Sequence, residues 1–199
     1  MRVIGILGGV ASGKSLVAAE LARLGAGLLD ADRAGHEVLR KSRIEAAARK
    51  RWGSGIFDAD DRIDRARLAR IVFSAPPEGP GERKFLEQLT HPLIGRVLGG
   101  QARALAATGK LAAVLDAPLI IEAGWDRLCD MLVFVDAPRE LRLARARERG
   151  WSETDFAARE GVQESLDSKR ERADVVVDNS GSLEHTRARI EQIWHSLFR

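Results

Sequence analysis

Gly8-Gly9-Val10-Ala11-Ser12-Gly13-Lys14-Ser15 is a complete G-x-x-x-x-G-K-S run, and it is where the chain's chemistry is most legible. Set between a strand and a helix, such a loop turns backbone N–H groups and the positive helix end toward one anion. Lys14 is then placed to reach the β- and γ-phosphates of a nucleoside triphosphate, and the Ser15 hydroxyl to bind Mg²⁺. A glycine-rich turn that binds nothing needs neither the lysine nor the serine in that register. The chain therefore reads as a nucleoside triphosphate binder.

Phosphoryl transfer also needs a second metal ligand, cations for the developing charge and an oriented acceptor. Leu111-Ala-Ala-Val-Leu-Asp116 is an apolar run closed by a carboxylate, the pattern of a strand whose Asp116 helps hold Mg²⁺. Asp30-Ala31-Asp32 offers a carboxylate to take the proton of an acceptor hydroxyl. The same aspartates also suit a helix N-cap, and one can cap while the other reaches the site. Residues 139–149 carry five arginines and two glutamates, with Arg142, Arg145 and Arg149 along one helix face. They read either as a solvated face or as a clamp on a transferring phosphoryl group. His91 suits an interior or capping position as well as substrate contact, and Glu122 has no assigned role. No Asn-Lys-x-Asp sequence occurs, which disfavours a GTPase.

These residues must be positioned by a scaffold. Short apolar stretches at 2–7, 27–30, 111–116, 131–135 and 174–178 alternate with helical patterns, which predicts an α/β fold with a doubly wound, parallel five-stranded sheet. Ligands of such sheets lie beyond the carboxyl ends of the strands, where Asp30, Asp32, Asp116 and Asp136 all fall. Roughly 80 residues separate the second strand from the third. Helical stretches are expected there at 33–51, 64–73 and 82–108. Ala75-Pro-Pro-Glu-Gly-Pro-Gly81 is expected as a loop, and Thr90 as an N-cap with Pro92 in the first turn.

The 199 residues fit one domain, and 45% apolar with 31% charged content suits a globular enzyme. A net charge of +3 does not call for a nucleic-acid partner. The single cysteine, Cys129, excludes an intramolecular disulfide and reads as a packed thiol. Neither a signal peptide nor a membrane span is visible. A cytoplasmic enzyme is expected, acting as a monomer, with weak self-association left open.

Several segments, in order, resemble the dephospho-coenzyme A kinase family over nearly the whole chain. They are Ile4–Ser15, Asp30-Ala-Asp32 with His36, Thr90-His-Pro-Leu-Ile94, Asp116-Ala-Pro-Leu-Ile-Ile-Glu122, Arg159-Glu-Gly-Val-Gln163 with Lys169, and Val177-Asp-Asn-Ser-Gly181. The resemblance implies transfer of the ATP γ-phosphoryl to the 3′-hydroxyl of dephospho-coenzyme A, the last step of coenzyme A biosynthesis. It implies a single P-loop kinase domain, with a CoA-binding helical insertion near 60–108 and a lid near 139–160. ATP and Mg²⁺ are the implied cofactors. Asp32 becomes the general base, Arg145 the lid arginine, and Asn179 a neighbour of the adenine. His91, Pro118 and Leu119 would face the acceptor. Gly9, Val10, Ala11, Ser12, Gly13, Lys14, Ser15 and Leu16 make up the ATP-binding run, although relatives usually carry a second hydroxyl where this chain has Leu16. The lid helix carries one residue more after Pro138 than the family pattern, so Arg142 and Arg149 stay open beside Arg145. Without the resemblance the residues support a P-loop kinase of a small metabolite. The rival readings are a nucleoside, nucleotide or shikimate-type kinase, and a regulatory nucleotide-binding protein.

Overall fold

The computed structural model describes residues 1–198. In chain order the elements are β1 (Arg2–Gly8), α1 (Lys14–Arg23), β2 (Gly27–Leu29), α2 (Ala31–Leu39), α3 (Ser42–Trp52), α4 (Arg65–Val72) and α5 (Glu78–Ala107), followed by β3 (Ala112–Asp116), β4 (Met131–Asp136), α6 (Arg139–Glu148), α7 (Glu153–Glu160), α8 (Leu166–Glu171), β5 (Val175–Asp178) and α9 (Leu183–Leu197). The strands form one sheet in the order β2-β3-β1-β4-β5, and every pairing is parallel. All five lie within a residue or two of the predicted stretches.

The alternation of side chains explains why these runs become strands. Ile4 and Ile6, Ala112 and Val114, and Val133 and Val135 point to one face, where they pack with Val17 and Leu21 of α1 and Ile190 and Ile193 of α9. Val3, Leu7, Ala113, Leu115 and Phe134, on the alternate positions, are buried as well. A sheet covered on both faces leaves no polar side to show, so its strands read as continuous apolar runs.

The chain divides into two compact units, one made of Met1–Asp30 with the segment from Gly99 onward, the other of Ala31–Leu98. The first holds the sheet. The second is helical and has its own core, in which Ala48, Ile56, Phe57, Leu68 and Val72 are buried with Trp52 and Leu86 packed against them. Asp64 starts α4 by accepting from the N–H groups of Ala66 and Arg67 at 2.9 and 3.1 Å, which satisfies donors that no carbonyl of that helix can reach.

Three sequence expectations in this region need correction. The 33–51 stretch is two helices, α2 and α3, parted at Arg40 and Lys41. The expected loop 75–81 is helical from Glu78 onward, and α5 runs unbroken to Ala107 with Pro92 inside it. Pro80 fits the first turn, where a missing N–H costs nothing. Thr90 does not cap: its hydroxyl donates back to the Leu86 carbonyl at 2.7 Å, the bond of a residue inside a helix. Ile94 and Leu98, buried on the same helix, provide the packing that keeps it continuous past Pro92.

Candidate functional site

The loop between β1 and α1 is shaped by close contacts. Gly13 has φ +102, and a Cβ there would lie 2.1 Å from Asn179 Nδ2. At Gly9 a Cβ would lie 2.7 Å from Arg142 Nη1. Side chains from α6 and from the turn after β5 thus press on the loop where only glycine leaves room. Ala11 takes a left-handed φ of 57, and Val10 and Ala11 are buried against Leu143, Ala146 and Phe156 of α6 and α7. Helix α1 opens at Gly13 with no side-chain cap, whereas α7 and α9 open on Ser152 and Ser182. Its leading N–H groups are therefore not claimed by a capping side chain, the arrangement that suits an anion.

Lys14 Nζ donates to the carbonyls of Gly8 and Gly9 at 3.1 and 2.8 Å. Burial pushes its pKa down to about 8; Asp116 opposes that shift, while the positive charges of Lys169, Arg142 and Arg149 reinforce it. A crowd of cations around a half-buried lysine is costly, and a polyanion relieves that cost. Ser15 Oγ donates to Asp116 Oδ2 at 2.9 Å, joining the head of α1 to the end of β3. Two hard oxygen donors on rigid elements fit a Mg²⁺ ion that takes its remaining ligands from phosphate and water. Among the described residues no group of three or more His, Cys, Asp or Glu is arranged to hold a metal by itself.

The three arginines of the α6 face have separate fates. Arg142 is buried; its Nε donates to the Ala137 carbonyl at 3.1 Å, and its Nη1 to Val10 O at 3.4 Å and to Glu160. It is a strut between the loop, α6 and α7. Arg145 donates to the Ser12 carbonyl at 3.2 Å and to the Asn179 carbonyl at 2.9 Å, which sets its guanidinium beside the loop. Arg149 is exposed at the end of α6. Asn179 is buried, with Nδ2 donating to Ser12 O at 2.7 Å and Oδ1 accepting from Thr186 at 3.1 Å. Ser12 is itself fully buried, and among the described residues its hydroxyl meets no hydrogen-bond partner. Leu16 follows in the first turn of α1, where its N–H donates to the Gly13 carbonyl at 3.0 Å.

Pro118 and Leu119 form the turn that follows β3. Asp32 is exposed in the first turn of α2, and His91 is half-buried on α5. These last two belong to the Ala31–Leu98 unit, and the loop to the other.

Two further arrangements escaped the sequence reading. Glu122 Oε1 accepts from the Glu164 N–H at 2.6 Å and pairs with Lys169 Nζ at 3.3 Å. Lys169, fully buried, also donates to Gln163 Oε1 at 2.9 Å. The carboxylate thus pins the segment between α7 and α8 to the turn after β3. On α5, Gln101 accepts from the Asp30 N–H at 2.8 Å and donates to the Asp30 carbonyl at 3.2 Å. That amide fixes the main chain two residues before Asp32. No spacing rule announces either contact, because the partners lie 42 and 71 residues apart.

A parallel sheet with this loop, the Ser15–Asp116 pair and an arginine on the loop carbonyl define a P-loop phosphotransferase. A family model described as Dephospho-CoA kinase matches residues 2–185. A dephospho-CoA kinase of Symbiobacterium thermophilum is 40% identical over 199 residues, covering 98% of this chain and 81% of that one. The crystal structure of TT1252 from Thermus thermophilus superposes with a TM-score of 0.78 at 33% identity, covering 100% of this chain and 98% of its own. The structure of the dephospho-CoA kinase from Campylobacter jejuni has the same fold, with a TM-score of 0.63 at 23% identity and coverage of 98% and 97%. The chain belongs to the dephospho-CoA kinase family.

Proposed function

We propose that the chain transfers the γ-phosphoryl group of ATP to the ribose 3′-hydroxyl of dephospho-CoA, giving coenzyme A and ADP. Family membership supports the reaction. The observation that carries it in this chain is the setting of Lys14, a half-buried cation inside a glycine loop that donates to the Gly8 and Gly9 carbonyls and whose pKa is lowered by desolvation and by further cations. The run Gly9–Leu16 would hold the triphosphate, with Lys14 moving from the Gly8 and Gly9 carbonyls to the β- and γ-phosphates. Ser15 and Asp116 would hold Mg²⁺, which when bound neutralises phosphate charge. Asp32 would take the proton of the 3′-hydroxyl as that oxygen forms its bond to the γ-phosphorus and the bond to the β,γ-bridging oxygen breaks. Arg145 is the lid arginine of this reading, with Arg149 alongside; Arg142 is committed to the loop and Glu160. Asn179 would border the adenine, while His91, Pro118 and Leu119 would face the acceptor. In the same reading residues 60–108 form the CoA-binding insertion, 139–160 the lid, and the enzyme works as a cytoplasmic monomer.

The test is a coupled ADP assay across dephospho-CoA, adenosine, other nucleosides and shikimate. ADP formation should depend on acceptor, be fastest with dephospho-CoA and collapse in Asp32→Asn. Turnover indifferent to acceptor, or fastest with shikimate, would refute the assignment.

A further inference from the structure

Glu122, Gln163 and Lys169 form a polar cluster that the chemistry above leaves unused. Lys169 is a fully buried cation on α8, its ammonium set against Glu122 Oε1 at 3.3 Å and Gln163 Oε1 at 2.9 Å. It lies near enough to the phosphate loop for its charge to bear on Lys14. As a source of stability such a pair is weak. Burying an ammonium costs about as much as its partner returns, and an apolar side chain of similar volume often serves a fold better. What paired charges add is direction, because they fix which atoms meet and at what distance.

The parts joined here flank the site. On one side is the turn after β3, which follows Asp116, the partner of Ser15, and contains Pro118 and Leu119. This turn is bonded to itself: the Ala123 N–H donates to the Leu119 carbonyl at 2.9 Å and the Trp125 N–H to the Ile120 carbonyl at 2.8 Å. Ile120 and Ile121 are buried within it. A displacement of Glu122 is therefore passed on to Leu119. On the other side is the segment 161–165, which leads from α7 into α8. Its own side chains are spent on α8, where Ser165 accepts from the Ser168 N–H at 3.2 Å and Glu164 accepts from the Ser168 hydroxyl at 2.8 Å and from Arg172 at 3.1 Å. Glu122 supplies the tie between the two sides by taking the Glu164 N–H at 2.6 Å and pairing with Lys169. All of these residues belong to the unit formed by Met1–Asp30 and the chain after Gly99. We propose that Glu122 and Lys169 are positioning residues of the transfer reaction, which fasten the segment between α7 and α8 to the β3 turn and so set Pro118 and Leu119 relative to the phosphate loop. The inference rests on the reading of the chain as a kinase of dephospho-CoA, and it gives Glu122 a role that needs no contact with either substrate.

The two partners are unequal, which lets catalysis be separated from stability. The Glu122 side chain is 21% exposed and that of Lys169 only 2%. Lys169→Met leaves a carboxylate that water and the Glu164 N–H still satisfy, so this variant should melt near the wild type. Glu122→Gln strands a buried ammonium and should melt lower. The double variant Glu122→Gln/Lys169→Met removes the stranded charge and should regain the wild-type melting temperature. In all three, kcat with saturating ATP and dephospho-CoA should nevertheless fall about tenfold or more, with ATP KM within about twofold, since a small misplacement of a reacting group suffices. The double variant should lose no more than the worse single one, as expected of residues that act as a unit. A wild-type kcat in Lys169→Met, or a kcat that returns together with the melting temperature in the double variant, would make the pair structural only. A loss confined to ATP KM would overturn the positioning role by making Lys169 part of the nucleotide's charge environment. Hydrogen exchange of the ligand-free protein reads the tie without turnover: amides of 119–125 and 163–165 should exchange about tenfold faster in the double variant, and unchanged exchange would overturn it. A wild type that makes no acceptor-dependent ADP refutes the kinase reading, and the exchange result still decides the tie.

Discussion

Lys14 shows how a glycine loop sets one side chain among other cations. Its ammonium leans on two loop carbonyls, and burial among other cations lowers its pKa to about 8. A triphosphate supplies the compensation that carbonyl dipoles provide only in part. Lys14→Ala should therefore cost several orders of magnitude in turnover, since one preorganised contact in a dry site is worth about 3–4 kcal/mol and this one carries full charge. Steady-state kinetics with saturating ATP checks it, and near-normal turnover would remove Lys14 from the chemistry. Arg145→Ala should lower kcat by about 10²–10³ with little change in acceptor KM, because in the proposed role its contact would strengthen as charge develops. A rise in KM at constant kcat would make it a ground-state binder. Cys129 behaves oppositely to a nucleophile: burial, reinforced by Asp126 and Asp130, pushes its thiol up to about 12. Only about one molecule in 10⁴ would carry the thiolate at pH 8, so thiol reagents should leave the folded protein unmodified until it is denatured. The loop between β1 and α1, the place of Asp116 at the end of β3 and the packed cysteine were legible because each depends on nearby sequence. The division of labour among Arg142, Arg145 and Arg149 was not, since it depends on Glu160, Ser12 and Asn179, which the fold delivers from elsewhere.

Among the elements, α1 is held as firmly at its tail as at its head. Glu20, buried on α1, accepts from Arg23 and from Arg187 of α9, each at 2.8 Å, and Arg23 reaches on to Glu191. The bonds from Arg23 first, then Arg187, hold the Glu20 pKa below its usual value. A carboxylate depressed in the folded state adds stability that is full above the unfolded pKa of 4.5 and is lost as pH falls through the lower folded value. Thermal melts of the wild type should therefore drop below pH 4.5, and Glu20→Gln should flatten that drop while melting lower at neutral pH. An identical pH profile in the variant would mean that the α1–α9 tie contributes nothing. Helix α5 acts through Gln101 on the main chain of Asp30. Gln101→Leu should lower kcat by about tenfold with ATP KM unchanged, since misplacing a reacting group by a fraction of an ångström is enough to do so. Equal losses in kcat and melting temperature would make the residue structural only. The strands were readable from sequence because apolar runs buried on both faces have few other destinations. Helix α5 was readable over 82–108, but its start at Glu78 and its continuity through Thr90 were not, because Pro80, Thr90 and Pro92 carry the local signature of helix ends. Burial of Ile94 and Leu98 overrides that signature, and a local rule does not see burial.

For the whole molecule, the separation of chemistry into two units has a measurable consequence. The proposed ATP contacts, the loop, Arg145 and Asn179, all belong to the unit formed by Met1–Asp30 and the chain after Gly99. Of the proposed acceptor contacts, Asp32 and His91 belong to Ala31–Leu98, which has a core of its own, and Pro118 and Leu119 to the first unit. A ligand raises the stability of the part it binds by mass action, and amides that exchange by local opening report it region by region. Hydrogen exchange with a non-hydrolysable ATP analogue should slow amides of residues 9–17, 142–146 and 178–180 first. Dephospho-CoA alone should instead slow amides around Asp32, His91 and the Pro118–Leu119 turn. At a hundredfold excess over Kd the ligand contributes about 2.7 kcal/mol, roughly a hundredfold in the exchange of amides that open only in the unbound form. If dephospho-CoA protected the loop and left the amides around Asp32 and His91 unchanged, the acceptor roles of those two residues would be refuted. The P-loop reading of residues 8–15 would remain.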